Sequence, residues 1–135
     1  RWKLNAAMID TVRGRINRLD ELEDLLQFYF KLPDYPATLL KWKEMNLGEV
    51  ELNLNKMKDA IGSLNPRSRK KTIEEKLLGA VGNGKRGEML WPLRVALSGQ
   101  ESSPGPFEII EALGKKESLR RINLALQKLE IPETY

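Results

Sequence analysis

The 135-residue sequence contains neither cysteine nor histidine. Without cysteine there are no disulfides, thiolate zinc sites or cysteine nucleophiles, and nothing favours an oxidising compartment, so the default home is the cytoplasm. Without histidine the usual general base, the Ser-His-Asp triad and imidazole metal ligands are all missing. The acidic residues are scattered among lysines rather than paired in a cleft pattern. The chain is therefore expected to carry no catalytic residue, no metal and no cofactor of its own. No apolar run approaches the roughly 18 residues that a membrane span needs, and Arg1-Trp2-Lys3-Leu4-Asn5 is not a signal peptide. Since Arg1 already reads as helix, the expectation is an excerpt from a longer protein.

Strand patterning is also scarce. A brief Val50 to Leu54 alternation is overridden by a helical period in which Val50, Leu54, Met57, Ile61 and Leu64 recur in steps of four and three, ending by Asn65-Pro66. Upstream, Leu4, Met8, Val12 and Ile16 make one helical stripe that leaves Arg13 and Arg15 off it. Asp20 and Glu23 have capping-box spacing before Leu22, Leu25, Leu26 and Tyr29. Pro33 and Pro36 close that helix, which places a domain boundary at Leu32-Pro33-Asp34-Tyr35-Pro36. A short helix is expected around Ala37 to Lys43. Thr72 and Glu75 suggest a second capping box before Ile73, Leu77 and Val81, and Leu119, Ile122, Leu126 and Leu129 form a last stripe flanked by Arg120 and Arg121. The class is all-α.

Charge permits a nucleic-acid partner without requiring one. Lys and Arg number 23 against 19 Asp and Glu, for a net charge of +4. The densest basic run, Arg67, Arg69, Lys70 and Lys71, is of a kind common in solvated connectors. Gly79 to Lys85 matches P-loop spacing up to its last position, but Arg86 stands where Ser or Thr must bind magnesium. Gly79 also falls late in a helix rather than after a strand, so Gly82-Asn83-Gly84 reads as a helix stop and turn. A nucleotide-using enzyme is set aside on those grounds.

The most informative stretch runs from Gly87 to Leu113. Leu90, Leu93 and Leu97 place Arg94 beside an apolar stripe on a helix that Gly99 should end in the left-handed conformation. Ser103 is expected to cap the next helix with Pro104 in its first turn, and Phe107, Ile110 and Leu113 form its buried face before Gly114. A cation at Arg94 beside open backbone N–H groups near Ser103 and Gly105 suits a phosphate or an unstacked base.

These residues resemble a known family. Trp91-Pro92-Leu93-Arg94-Val95-Ala96-Leu97-Ser98-Gly99, Ser103-Pro104-Gly105-Pro106-Phe107-Glu108 and Leu113-Gly114-Lys115 are similar to the C-terminal anticodon-binding region of bacterial-type glutamyl-tRNA synthetases. Met8-Ile9-Asp10-Thr11-Val12-Arg13-Gly14-Arg15, Leu19-Asp20-Glu21-Leu22, Phe28-Tyr29-Phe30 and Asp34-Tyr35-Pro36 follow the same family in the same order. The resemblance implies two small helical subdomains, the end of the first at 1–36 and the second at 37–135. It implies a glutamate-accepting tRNA as partner, together with an upstream class I catalytic domain of the same chain that uses ATP and magnesium. By position, Arg15 is expected at the third anticodon base and Arg94 at the anticodon, with Ser103, Pro104, Gly105, Pro106 and Phe107 around the first two bases. Arg13, Arg69 and Lys85 are then expected at phosphates. Trp91 and Phe107 are expected to serve the core. The expectation is a cytoplasmic monomer with no membrane contact. The competing reading is a helical protein-interaction scaffold without anticodon preference.

Overall fold

The computed structural model describes residues 5–12, 19–82 and 85–130, with the side chains of 12 and 19–24 left aside. Among the described residues there are seven α-helices and no strand: α1 Ala6–Val12, α2 Leu19–Phe30, α3 Leu47–Gly62, α4 Lys70–Val81, α5 Arg86–Ser98, α6 Pro106–Leu113 and α7 Lys115–Glu130. A 3₁₀ turn, Ala37–Leu40, joins α2 to α3. It is shorter than the expected helix because Lys41 is already extended and Lys43 takes a positive φ of 55°.

The centre of the fold is α3. Val50, Leu54, Met57 and Ile61 are fully buried, as the four-and-three spacing requires, and the helix packs on α4, α5 and α7. Asn46 caps it with a capping box, accepting from the Glu49 N–H at 2.9 Å while Glu49 accepts from the Asn46 N–H at 3.0 Å. At the other end of the chain order, α1 lies against α2 and α6. Met8, Leu26 and Phe28 belong to the same buried cluster as the residues of α3 to α7.

Helix α5 continues through Pro92. Proline has no N–H, so the carbonyl of Glu88 one turn back loses its intrahelical donor. The Asn53 side chain on α3 supplies one instead, donating from Nδ2 to Glu88 O at 3.1 Å. Asn53→Leu is expected to cost about 1–2 kcal/mol by orphaning that carbonyl, and much less in a Pro92→Ala background, where the helix supplies its own donor. Urea unfolding of the four proteins measures this; equal costs in both backgrounds would refute the pairing.

Two helix starts differ from expectation. Helix α4 begins at Lys70 with Arg69 as its N-cap, and no side chain of its own segment caps it. The cap comes from α6: Glu111 Oε2 accepts from the Lys70 N–H at 2.8 Å, and Glu108 lies 3.6 Å from the Lys70 ammonium. With that carboxylate in place the helix starts two residues before Thr72. Helix α6 begins at Pro106, not near Ser103, because a residue before proline is held out of helical ψ and Gly105 is accordingly extended at φ −66°, ψ 156°. The later start moves the buried face to Ile109, Ile110 and Ala112, leaving Phe107 and Leu113 half-buried against the core.

The last helix shows the largest departure. The expected stripe of Leu119, Ile122, Leu126 and Leu129 does pack on the core, but the fully buried residues are Ser118, Arg121, Ile122 and Ala125, so Arg121 is buried to 1% exposure while Arg120 stays on the surface. Three partners make this possible. Arg121 Nε donates to Glu117 Oε2 at 2.8 Å, Nη1 to Leu97 O at 2.7 Å and Nη2 to Tyr29 O at 3.0 Å. The two carbonyls lie in the last turns of α5 and α2, where helices leave acceptors unpaired and where the helix dipole favours a cation.

Candidate nucleic-acid interface

The Gly99 to Gly105 connection is built from both of its flanking helices. Gly99 ends α5 at φ 68°, ψ 18°, with its N–H on Val95 O at 2.6 Å, as its position after the apolar stripe predicts. Ser98, fully buried, donates through Oγ to Arg94 O at 2.8 Å and accepts from the Gln100 N–H at 3.2 Å, which turns the chain away from the helix axis. The chain here passes directly over Pro33, whose carbonyl would stand 2.8 Å from a Cβ at residue 99.

Arg94 is the fixed element of this region. Its guanidinium stacks over Trp91 at 5.0 Å from the ring centroid, Nη1 donates to Ser103 Oγ at 3.1 Å and Nη2 donates to Glu101 O at 2.8 Å. Trp91 is itself held by its indole N–H on Leu39 O at 2.9 Å, which ties the 3₁₀ turn to α5. Trp91 therefore both packs on the core and forms the floor under the cation. Burial lowers the Arg94 pKa from its ordinary value, yet a guanidinium stays charged at any physiological pH. Two of its five N–H groups are engaged; the planar group is oriented with donors left over.

Ser103 does not cap α6. Its hydroxyl accepts from Arg94 and donates to Pro104 O at 2.9 Å. Pro104 is buried, Gly105 is the N-cap without a side-chain bond, Pro106 is the first helical residue and Phe107 is half-buried beside it. The amino end of α6 thus presents the backbone donors of Phe107 and Glu108 without a side-chain cap, next to the loop that Arg94 holds.

The remaining residues singled out from the sequence are spread more widely. Arg69 is exposed at the start of α4, which abuts α6 through Lys70, Glu108 and Glu111. Lys85 is exposed just ahead of α5, about 14 Å along that helix from Arg94. It neighbours Trp42, on whose ring Lys43 sits at 4.4 Å. Arg13 and Arg15 lie outside the described residues, as do Asn83 and Gly84. Four positions before Arg15 in sequence is Thr11 on α1, whose Oγ accepts from the Tyr29 hydroxyl at 2.8 Å. Burial pushes that hydroxyl up to about 12, so it remains a donor. Helix α1 also reaches α6, through Asn5 Nδ2 donating to Ala112 O at 3.2 Å.

Sequence reasoning put Arg121 on the flank of the last apolar stripe rather than inside the core, and gave no role to the Glu101 carbonyl that holds Arg94. Only Arg121 carried a readable signal, since it falls on one side of α7 with Ser118, Ile122 and Ala125 and has Glu117 one turn before it. Among the described residues no helix is long and apolar enough to cross a membrane, and no group of acidic side chains is placed to hold a metal.

A family model described as "Anticodon binding domain" matches residues 2–126. The chain belongs to the anticodon-binding domain family. Among its relatives, a glutamate–tRNA ligase of Lachnoclostridium phytofermentans is 37% identical over 129 residues, covering 89% of this chain and 25% of that protein. One from Clostridium kluyveri is 36% identical over 127 residues, covering 90% of this chain and 26% of that protein. The anticodon-binding domain therefore spans about a quarter of the length of these relatives. The crystal structure of a glutamate tRNA ligase from Elizabethkingia meningosepticum, in complex with its amino acid, shares the all-α fold with a TM-score of 0.77. That match is at 23% identity and covers 91% of this chain and 24% of that one.

Proposed function

We propose that this anticodon-binding domain reads the anticodon loop of a glutamate-accepting tRNA as part of a longer glutamate–tRNA ligase. The catalytic part of that enzyme would lie upstream and use ATP and magnesium; the present chain would supply recognition alone, as a cytoplasmic monomer. The supporting observation is the oriented guanidinium of Arg94. It is stacked on Trp91 and pinned by Ser103 and Glu101, with unspent donors beside the uncapped start of α6.

An anticodon loop offers unstacked bases with open Watson–Crick edges. A planar group held at a fixed angle discriminates carbonyl and ring-nitrogen patterns better than a mobile ammonium does. In this reading Arg94 and the Ser103 to Phe107 segment meet the first two anticodon bases and Arg15 meets the third. Arg13, Arg69 and Lys85 meet phosphates, adding affinity without sequence preference.

The test is binding of the chain, at one stated salt concentration, to a glutamate tRNA and to versions changed at single anticodon bases. The cognate is expected to bind best. Arg94→Ala should cost about 1–3 kcal/mol and relax preference at the first two positions, and Arg15→Ala should do the same at the third. Arg94→Lys keeps the charge and should retain affinity while losing discrimination. Equal binding of all the tRNAs, falling steeply with salt, would reduce the interaction to backbone electrostatics and defeat the reading.

A further inference from the structure

We propose that the Trp42 indole is a stacking platform for one unpaired base of the tRNA loop, outside the anticodon triplet. The inference rests on the anticodon-loop reading above and adds a contact which that reading does not contain. Trp42 opens the turn that follows the 3₁₀ segment. The turn is closed by the Met45 N–H on Trp42 O at 3.2 Å and anchored by the buried Met45 side chain. Lys43, at its tip, takes the left-handed φ of 55°, a conformation that a residue with a Cβ keeps only where its surroundings hold it.

The indole rests directly on the backbone of α5. A Cβ at Gly87 would overlap the ring carbons Cζ2, Cε2 and Cη2, so only glycine in the first turn lets the ring lie this close to the helix. Trp42 is nevertheless no more than half-buried, and what lies over its ring is the exposed ammonium of Lys43, 4.4 Å from the centroid. A base can take that place, because the ammonium sits on a flexible stem and gains a phosphate in exchange.

Beside the ring is a cavity of about 270 Å³, room for one base, bordered by Lys43, Lys85, Glu44, Glu49 and Glu88. Three carboxylates against two ammonium groups do not suit a phosphate inside it; a neutral ring with amine donors on its edge is suited. The two exposed lysines then serve the phosphates on either side, the pairing of aromatic face and flanking cations by which single strands are held.

The position on α5 decides which base is met. Gly87, Trp91 and Arg94 fall at i, i+4 and i+7 on one face of the helix, with Gly87 and Arg94 about 10 Å apart along its axis. At about 3.4 Å per nucleotide that is three steps of a stacked strand. Three steps in either direction from either of the two bases assigned to Arg94 lead out of the triplet.

The test measures binding of the chain, at one stated salt concentration, to glutamate tRNA, to its anticodon variants and to versions with one abasic nucleotide at a time in the loop outside the triplet. Trp42→Leu keeps an apolar cover on Gly87 without a π face, and Trp42→Phe keeps a ring. In protein shown to be folded by circular dichroism, Trp42→Leu is expected to weaken binding of glutamate tRNA about 5- to 150-fold with the ratio to the anticodon variants unchanged, and Trp42→Phe to restore most of the affinity. One abasic position should weaken the wild type by a similar factor and cost Trp42→Leu nothing further.

Folded Trp42→Leu that binds as the wild type does, or a loss that no abasic position reproduces, would overturn the platform and leave anticodon reading in place. Wild-type protein that binds every anticodon variant equally would overturn both. Should Trp42→Leu not fold, photocrosslinking of the wild type decides: 5-iodouridine at the sensitive position is expected to couple to Trp42, and coupling elsewhere or none would overturn the platform.

Discussion

Replacing Arg121 by methionine is expected to remove about 2–5 kcal/mol of stability, seen in urea as a lower midpoint at unchanged slope. The side chain is 1% exposed, and its removal leaves the carbonyls of Tyr29 and Leu97 buried without a donor. Each orphaned carbonyl costs about 1–3 kcal/mol. Glu117 is not the source of the loss, because it is about one-third exposed and keeps its paired bonds to Arg120. Methionine fills most of the volume, so the cavity contribution is small and the polar one is isolated. A loss below about 1 kcal/mol would mean that water or a backbone shift satisfies both carbonyls, and that the guanidinium does not hold α2 to α5.

The second large effect is expected at Gly99. Its φ of 68° lies in the left-handed region, where an L side chain costs roughly 1–2 kcal/mol. A Cβ there would also stand 2.8 Å from Pro33 O and 3.0 Å from Pro33 Cδ, so the loop and the end of α2 must separate. Overpacking of this kind adds about 1–3 kcal/mol, which puts Gly99→Ala at about 2–5 kcal/mol in total. The displacement should reach Arg94 through Ser98 and the Gln100 N–H. Faster amide hydrogen exchange at residues 99–103 is therefore expected alongside the lower unfolding midpoint. Unchanged exchange with unchanged stability would show that the Pro33 contact carries no strain.

Most of the helices were legible because their causes are local. The four-and-three spacing of α3 places Val50, Leu54, Met57 and Ile61 on one side whatever covers them, and all four are fully buried. Gly99 terminates α5 for a reason contained in one residue. Gly82 also ends α4, though at φ 59°, ψ −128° rather than in the left-handed helical region, with its N–H on Leu78 O, and the helix before it removes the strand-to-helix setting a P-loop needs. Where two local signals compete the outcome is harder to read. Ser103 and Pro106 both mark helix starts, and proline prevailed because it constrains the backbone of Gly105, whereas a serine cap contributes about 1 kcal/mol that Ser103 gains elsewhere.

By itself the sequence determined the all-α class, the main apolar faces, the Gly99 turn and membership of the anticodon-binding domain family, all of which depend on residues a few positions apart or on ordered motifs. Tertiary structure decided which polar groups serve the fold and which face outward. Glu111 caps a helix 41 residues away, Asn53 completes the turn broken by a proline through a carbonyl 35 residues on, and Arg121 binds a carbonyl 92 residues before it. Periodicity marks where a side chain points, but a buried charge is tolerated only where distant elements bring acceptors to meet it. The same applies to Arg94: its place beside an apolar stripe was visible in the chain, while its fixed plane required Trp91 beneath it and the returning Ser103 loop at its edge.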